Sequence, residues 1–292
     1  MCEKRITYER NELLLLGKKF LSSDSSHKLS QSTWTTIKSL GLETTKSTKR
    51  GKRGGKVKHK VLRSVLLNAQ SVAKSEKATV LNDFITSNEI DTFFITETWL
   101  HGNEKDNSIL ANLIPPNYKI IHKARKTSRG GGVAIIYRED LSVKLCTSKH
   151  YDSFEHIVTK LVSSSVTYHI VTIYRPPPNQ KNQLSASIFF KEFRNFLADI
   201  ILLKGELLLL GDFNFHVNNK NNSDAQQFIS IIESHNLHQH ISVPTHKLRN
   251  TLDLILTRSS DNSPKNIRVK DHLISDHFAV HFNLPTARPP RP

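Results

Sequence analysis

From Val61 onward the apolar residues fall into short runs, several alternating with polar ones and bounded by turn residues, as half-buried strands require. Strands are predicted at Val61–Leu67, Thr92–Thr96, Gly132–Arg138, Ile157–Val162, Thr167–Tyr174, Glu206–Leu210, Leu252–Thr257 and Ala279–Asn283. Three segments carry a helical period instead: Glu76–Ser87, with Val80, Leu81, Phe84 and Ile85 on one face, Ser187–Leu203, and Asp224–Ser234 with Phe228, Ile231 and Ile232. Too many strands follow one another without a helix for a doubly wound sheet. The expected α/β architecture is therefore two sheets packed face to face with helices outside. Before Val61 the pattern is lost: residues 21–60 are rich in Ser, Thr and Lys, and Lys46–Lys60 holds eight basic residues and no acid. Such a stretch cannot bury enough apolar surface to offset chain entropy. The reading is a basic, largely disordered segment over 1–56, a folded domain over 57–286 and a Pro-rich tail over 287–292.

Charge sharpens this division. Of a net +16, residues 1–60 hold +10, from 15 Lys and Arg against 5 Asp and Glu. Lys49, Arg50, Lys52, Arg53, Lys56, Lys58 and Lys60 form the densest part. A polyanion is the natural partner, nucleic acid or an acidic membrane surface, and a solvated or nuclear-targeting tail is the plainer reading. Only Cys2 and Cys146 are present, which excludes a disulfide framework and a cysteine-based zinc site. Leu13–Leu16 is too short for a signal sequence, and Phe196–Leu210 is broken by Asp199, Lys204, Gly205 and Glu206. No membrane span is expected, and the protein reads as soluble and intracellular, nuclear or cytoplasmic. No phosphate-binding loop of the Gly-x-x-x-x-Gly-Lys-Ser/Thr type occurs.

Candidate chemistry gathers where strands stop. The run Leu207–Leu210 ends in Gly211-Asp212-Phe213-Asn214, Thr92–Thr96 ends in Glu97-Thr98-Trp99, and Leu62–Leu67 ends at Asn68, whose amide oxygen suits a hard cation. Tyr174-Arg175-Pro176 completes another strand and offers a phenol and a guanidinium to phosphate. Asp253 lies in the otherwise apolar strand Leu252–Thr257 and needs a partner, which His277 of Ser275-Asp276-His277 would supply. Each of these alone is equally a turn, a loop exit or a structural Asp–His bond. Their recurrence at successive strand ends points to metal-assisted phosphoryl transfer.

Taken in order, Leu67-Asn68, Thr96-Glu97-Thr98-Trp99, Tyr174-Arg175-Pro176, Gly211-Asp212-Phe213-Asn214, Thr251-Leu252-Asp253 and Ser275-Asp276-His277 resemble the endonuclease/exonuclease/phosphatase family. With Leu-Asn-Ala-Gln-Ser at 67–71, Gly-Gly-Gly-Val-Ala at 130–134 and Gly-Asp-Phe-Asn-Phe-His at 211–216, they look most like the apurinic-type endonuclease domains of non-LTR retrotransposons. The resemblance implies a four-layered α/β sandwich of two central mixed sheets flanked by helices. It implies Mg²⁺, with Mn²⁺ as the alternative, at Glu97, Asn68 and Asp276, and no small-molecule cofactor. Catalysis would rest on Asp212, Asn214, His277, Asp253 and Tyr174, with Arg175, Thr251 and Ser275 near the substrate, which would be DNA. In such elements the nick primes reverse transcription, but 292 residues leave no room for a polymerase, and the Pro-rich end reads as a linker. Two other readings stand beside it: a phosphatase or phosphodiesterase of the same fold acting on lipid or RNA, and a decayed copy that binds nucleic acid without cutting it.

Overall fold

The computed structural model describes residues 61–125, 130–178 and 184–287. The basic stretch from Lys49 to Lys60, the segment 1–56 and the last five residues lie outside them. The chain enters through β1 (Val61–Asn68), α1 (Ser75–Ser87), β2 (Thr92–Thr96), a 3₁₀ turn at Glu104–Asp106 and α2 (Asn107–Leu113). It continues through β3 (Tyr118–Lys123), β4 (Val133–Arg138), β5 (Ser142–Cys146), β6 (Glu155–Val162), β7 (Thr167–Tyr174) and α3 (Ala186–Ile200). Then come β8 (Glu206–Asp212), α4 (Ser223–Ser234), β9 (Leu237–Gln239), β10 (Asp253–Arg258), β11 (Lys265–Lys270) and β12 (Ala279–Pro285). Two six-stranded mixed sheets result, ordered β11-β12-β1-β2-β4-β3 and β5-β6-β7-β8-β10-β9. They form the inner layers of the expected sandwich, with the helices outside.

Alternation along each central strand assigns its two faces. In β1, Leu62 and Leu66 enter the cluster shared by both sheets, while Val65 and Leu67 pack with Ala78, Leu81 and Ile85 of α1. In β2, Phe94 faces the other sheet, and Phe93 and Ile95 face the helices. On the second sheet α3 lays Phe189, Phe190, Phe193 and Phe196 into the core, each burial contributing about 1.5–3 kcal/mol. Ser185 caps this helix by accepting from the Ile188 amide, and Asn222 caps α4 by accepting from Ala225.

Several expectations are corrected. Val80 is 51% exposed, beyond the edge of the α1 stripe that Ala78, Leu81, Phe84 and Ile85 bury. The helix predicted to reach Leu203 stops at Ile200, because Leu203 turns back onto the Ile200 carbonyl ahead of Gly205, whose φ is +112°. β8 runs on to Asp212, so that carboxylate belongs to the strand and does not follow it. The edge strands β3, β5, β9 and β11 and the short α2 carry too few apolar residues to stand out in sequence.

The pairing brings the chemistry to one end. Parallel β1 and β2 place Asn68 beside Thr96, and parallel β7 and β8 place Tyr174 beside Asp212. β10 runs antiparallel to β8 with Asp253 opposite Asp212. β12 runs antiparallel to β1, Val280 opposite Leu66, so His277 precedes it at the Asn68 end.

Candidate active site

Asp212, Asp253 and Asn68 are buried side chains at adjoining strand ends, and one amide joins the two sheets. The Asn68 Nδ2 donates to Glu97 Oε1 at 2.9 Å and to Asp212 Oδ2 at 2.8 Å. Its Oδ1 accepts from the Gln70 amide at 2.9 Å. Reversing the amide would set its oxygen against two carboxylates, so the NH₂ faces the site. Asn68 is here a donor bridging Glu97 and Asp212, and its oxygen, expected to face a metal, accepts from the Gln70 amide.

Backbone conformation is specialised at the same places. Glu97, Trp99 and Asn214 have φ of 53°, 57° and 51°, a region non-glycine residues seldom adopt without surrounding constraint. Trp99 Nε1 donates to Glu97 Oε2 at 3.0 Å, so both carboxylate oxygens of Glu97 have donors. Gly211 has φ +148°, and a Cβ there would lie 1.8 Å from the Ile173 carbonyl oxygen. The close approach of β8 to β7 that presents Asp212 thus requires glycine.

Asn214 donates from its backbone to Asp212 Oδ1 at 3.0 Å, and from Nδ2 to Asp212 Oδ2 at 3.1 Å and to the Arg175 carbonyl at 2.8 Å. Even so, burial and then the neighbouring Asp253 push the Asp212 carboxyl up to about 7, with His277 and the Asn68 bond opposing. His277 Nδ1 meets Asp253 Oδ2 at 2.7 Å. Burial works against a charged His277, but the Asp253 carboxylate beside it prevails and raises its pKa to about 10. At neutral pH the site holds a poised carboxyl and an imidazolium. The Tyr174 phenol, beside Glu97, is driven well above its ordinary value by burial, then by Glu97 and Asp212, and remains a donor.

The three residues expected near the substrate are turned to other work. Arg175 is 3% exposed, lies 3.9 Å over the Phe215 ring and donates from Nη1 to the Phe213 and Asn214 carbonyls at 3.2 Å. Thr251 Oγ1 donates to the Val243 carbonyl at 3.1 Å. Ser275 Oγ donates to the Asn68 carbonyl at 2.8 Å and accepts from the His277 amide at 3.0 Å. These bonds tie all three side chains to the backbone of neighbouring segments.

Residues that the sequence reading passed over also stand here. Gln70 Nε2 donates to Asp276 Oδ2 at 3.2 Å, and His246 packs edge-on to His277 with ring centroids 4.8 Å apart. Glu155 accepts from Arg125 Nε and the Gly132 amide, and Arg125 lies 5.6 Å over the Tyr174 ring. Only the Gly130–Gly132 run hinted at this brace. No sequence signal marked His246.

The donor set suits a hard divalent cation. Asp276 Oδ1 is buried without a hydrogen-bond partner, a carboxylate oxygen open to a cation, and Glu97 adds a second carboxylate at the rim. Among the described residues, two groups of side chains have ligand atoms within 4.8 Å of one another: His246, Asp276 and His277, and Asp212, Asp253 and His277. The second shares a proton through the His277–Asp253 bond, and an imidazolium offers no lone pair to a metal. No helix among the described residues is long and apolar enough to cross a membrane.

Residues 168–281 match a family model described as endonuclease–reverse transcriptase. No curated protein sequence matches the chain. Among solved structures, the endonuclease domain of TRAS1, a telomere-specific non-LTR retrotransposon, superposes with a TM-score of 0.61 at 15% identity, covering 78% of this chain and 100% of that one. An AP endonuclease from Leishmania major gives 0.61 at 13% identity over 77% and 88%. A 3′ phosphatase from Neisseria bound to product DNA hairpin gives 0.56 at 17% identity over 76% and 98%. The chain accordingly carries the endonuclease/exonuclease/phosphatase fold.

Proposed function

We propose that the protein is a Mg²⁺-dependent endonuclease that nicks DNA, acting inside the cell. One observation carries the reading. A buried carboxyl held near pKa 7 stands beside an Asp253–His277 ion pair at the end of the sandwich where Glu97 and Asp276 offer carboxylates. A Mg²⁺ or Mn²⁺ ion held by Glu97 and Asp276 would supply Lewis-acid neutralisation of the phosphate charge. Asp212 accepts the proton of the attacking water at its carboxylate oxygen, with Asn68 and Asn214 fixing the direction of that oxygen. Asn214 Nδ2, by exchanging the Arg175 carbonyl for substrate, would orient a phosphate oxygen, and the Tyr174 hydroxyl would donate to another. The His277 imidazolium, held by Asp253, balances the negative charge that grows in the transition state.

DNA is favoured over lipid or RNA by the excess of +10 on residues 1–60 together with the similar folds of a retrotransposon endonuclease domain, an AP endonuclease and a 3′ phosphatase bound to a DNA hairpin. The discriminating experiment offers the full chain, in Mg²⁺, supercoiled plasmid, a 3′-phosphorylated duplex, single-stranded RNA and a soluble inositol polyphosphate. Faster cleavage of internal plasmid bonds than release of phosphate from the other three is the expected result. Preference for inositol phosphate or for terminal phosphate would replace this reading with a phosphatase.

A further inference from the structure

His246 stands in a segment stitched to the end of the active-site wall. The Phe278 amide donates to the Thr245 carbonyl at 2.7 Å, the Lys247 amide to the Asp276 carbonyl at 2.9 Å, and His246 forms an isolated bridge with His277. Its ring has a defined tautomer. The Leu248 amide donates to His246 Nδ1 at 3.1 Å, and a backbone N–H can only donate. Nδ1 therefore holds the lone pair and Nε2 carries the proton. That Nε2 faces Asp276 Oδ2 at 3.4 Å, the oxygen on which Gln70 Nε2 also converges at 3.2 Å. One oxygen of Asp276 is thus bonded by the Gln70 N–H and faced by the His246 N–H, which leaves Oδ1, buried and without a hydrogen-bond partner, as its free acceptor.

A ring nitrogen bearing a proton has no lone pair for a metal, so proximity to Asp276 and His277 does not make His246 a ligand. We infer that His246 is a positioning residue that, with Gln70, fixes the Asp276 carboxylate so that Oδ1 is presented to the divalent cation. The inference rests on the metal-assisted reading above.

Two readouts test it on the full chain: Mn²⁺ binding by calorimetry without DNA, and the Mg²⁺ dependence of plasmid nicking. His246→Ala should weaken Mn²⁺ binding about 10- to 100-fold and raise the half-saturating Mg²⁺ by a similar factor, the range typical when a group orienting a metal ligand is lost. Nicking at saturating Mg²⁺ should fall much less. His246→Gln, which restores an N–H near the Nε2 position, should recover most of the affinity. Gln70→Ala, at an exposed position that leaves the core intact, should show a smaller loss of the same kind. Unchanged Mn²⁺ affinity in His246→Ala, or a Gln variant as impaired as Ala, overturns the inference. Wild type that binds Mn²⁺ with this variant pattern but does not nick DNA refutes the endonuclease reading alone. Wild type that binds no Mn²⁺ overturns both.

Discussion

Replacing Asp253 by Asn removes one charge and little volume, and the Asn oxygen can still accept from His277 Nδ1. The Asp253 carboxylate is the leading cause that raises His277, against the pull of burial, from 6.5 to about 10. At 1.36 kcal/mol per tenfold, that preference for the imidazolium is worth roughly 5 kcal/mol. Without it His277 should return to near its ordinary value or lower. At pH 8 the imidazolium fraction would then drop from nearly complete to roughly 3%. If the charged ring is needed in the transition state, kcat/KM at pH 8 falls on the order of 30-fold. Asp253 is also, after burial, a cause of the raised Asp212 value near 7, so Asp212 should ionise at lower pH in the variant. Activity in the wild type should rise with pH as Asp212 loses its proton and decline as His277 loses its own. Both limbs of the variant move toward acid, and its deficit narrows sharply between pH 8 and pH 6. The assay is a pH profile of nicking at fixed Mg²⁺, paired with an NMR titration of the His277 ring nitrogens. An equal loss at pH 6 and pH 8, or a His277 ring that still titrates near 10 in the variant, would refute the reasoning.

Other perturbations read other parts of the structure. Gly211→Ala, whose Cβ would sit 1.8 Å from the Ile173 oxygen, should force β7 and β8 apart and cost about 3 kcal/mol or more, read as a lower midpoint in urea unfolding; an unchanged midpoint would contradict the tight pairing. Arg175→Ala should lower thermal stability while leaving the salt dependence of DNA binding as it was, because the guanidinium braces Phe213 and Asn214; a flatter salt slope would place it on phosphate instead. A chain beginning at Val57, which lacks thirteen of the Lys and Arg residues, is expected to bind DNA more weakly and with a shallower salt slope than the full chain; equal slopes would make the removed segment a linker or an address.

The parts of this site that sequence discloses are those that break a local rule. Asp212 and Asp253 are carboxylates at the ends of strands whose middles are runs of Leu and Ile, and a buried charge without a partner is too costly to be incidental. Glycine before Asp212 likewise marks a backbone approach that no side chain permits. What stays hidden depends on partners distant in the chain. Gln70 and Asp276 are 206 residues apart, so nothing near either residue announces their bond. The Asn68 amide could present oxygen or nitrogen, and only Glu97, Asp212 and the Gln70 amide together decide which. Arg175 looked like a phosphate ligand because its place on the rim was legible and its inward turn onto Phe215 was not. The central strands were read nearly to the residue from their apolar runs, while β11, whose Ile267 and Val269 alternate with exposed polar residues on an edge, was missed.

The central claim is that Asp212, at the junction of the two sheets, drives metal-assisted cleavage of DNA. Its most direct test follows conversion of supercoiled plasmid to open circles by the full chain and by Asp212→Asn, each in Mg²⁺ and in EDTA. The account predicts nicking by wild type in Mg²⁺, none in EDTA, and a loss of about 100-fold or more in the variant. Wild type that leaves the plasmid supercoiled, or a variant that nicks at the wild-type rate, would contradict it.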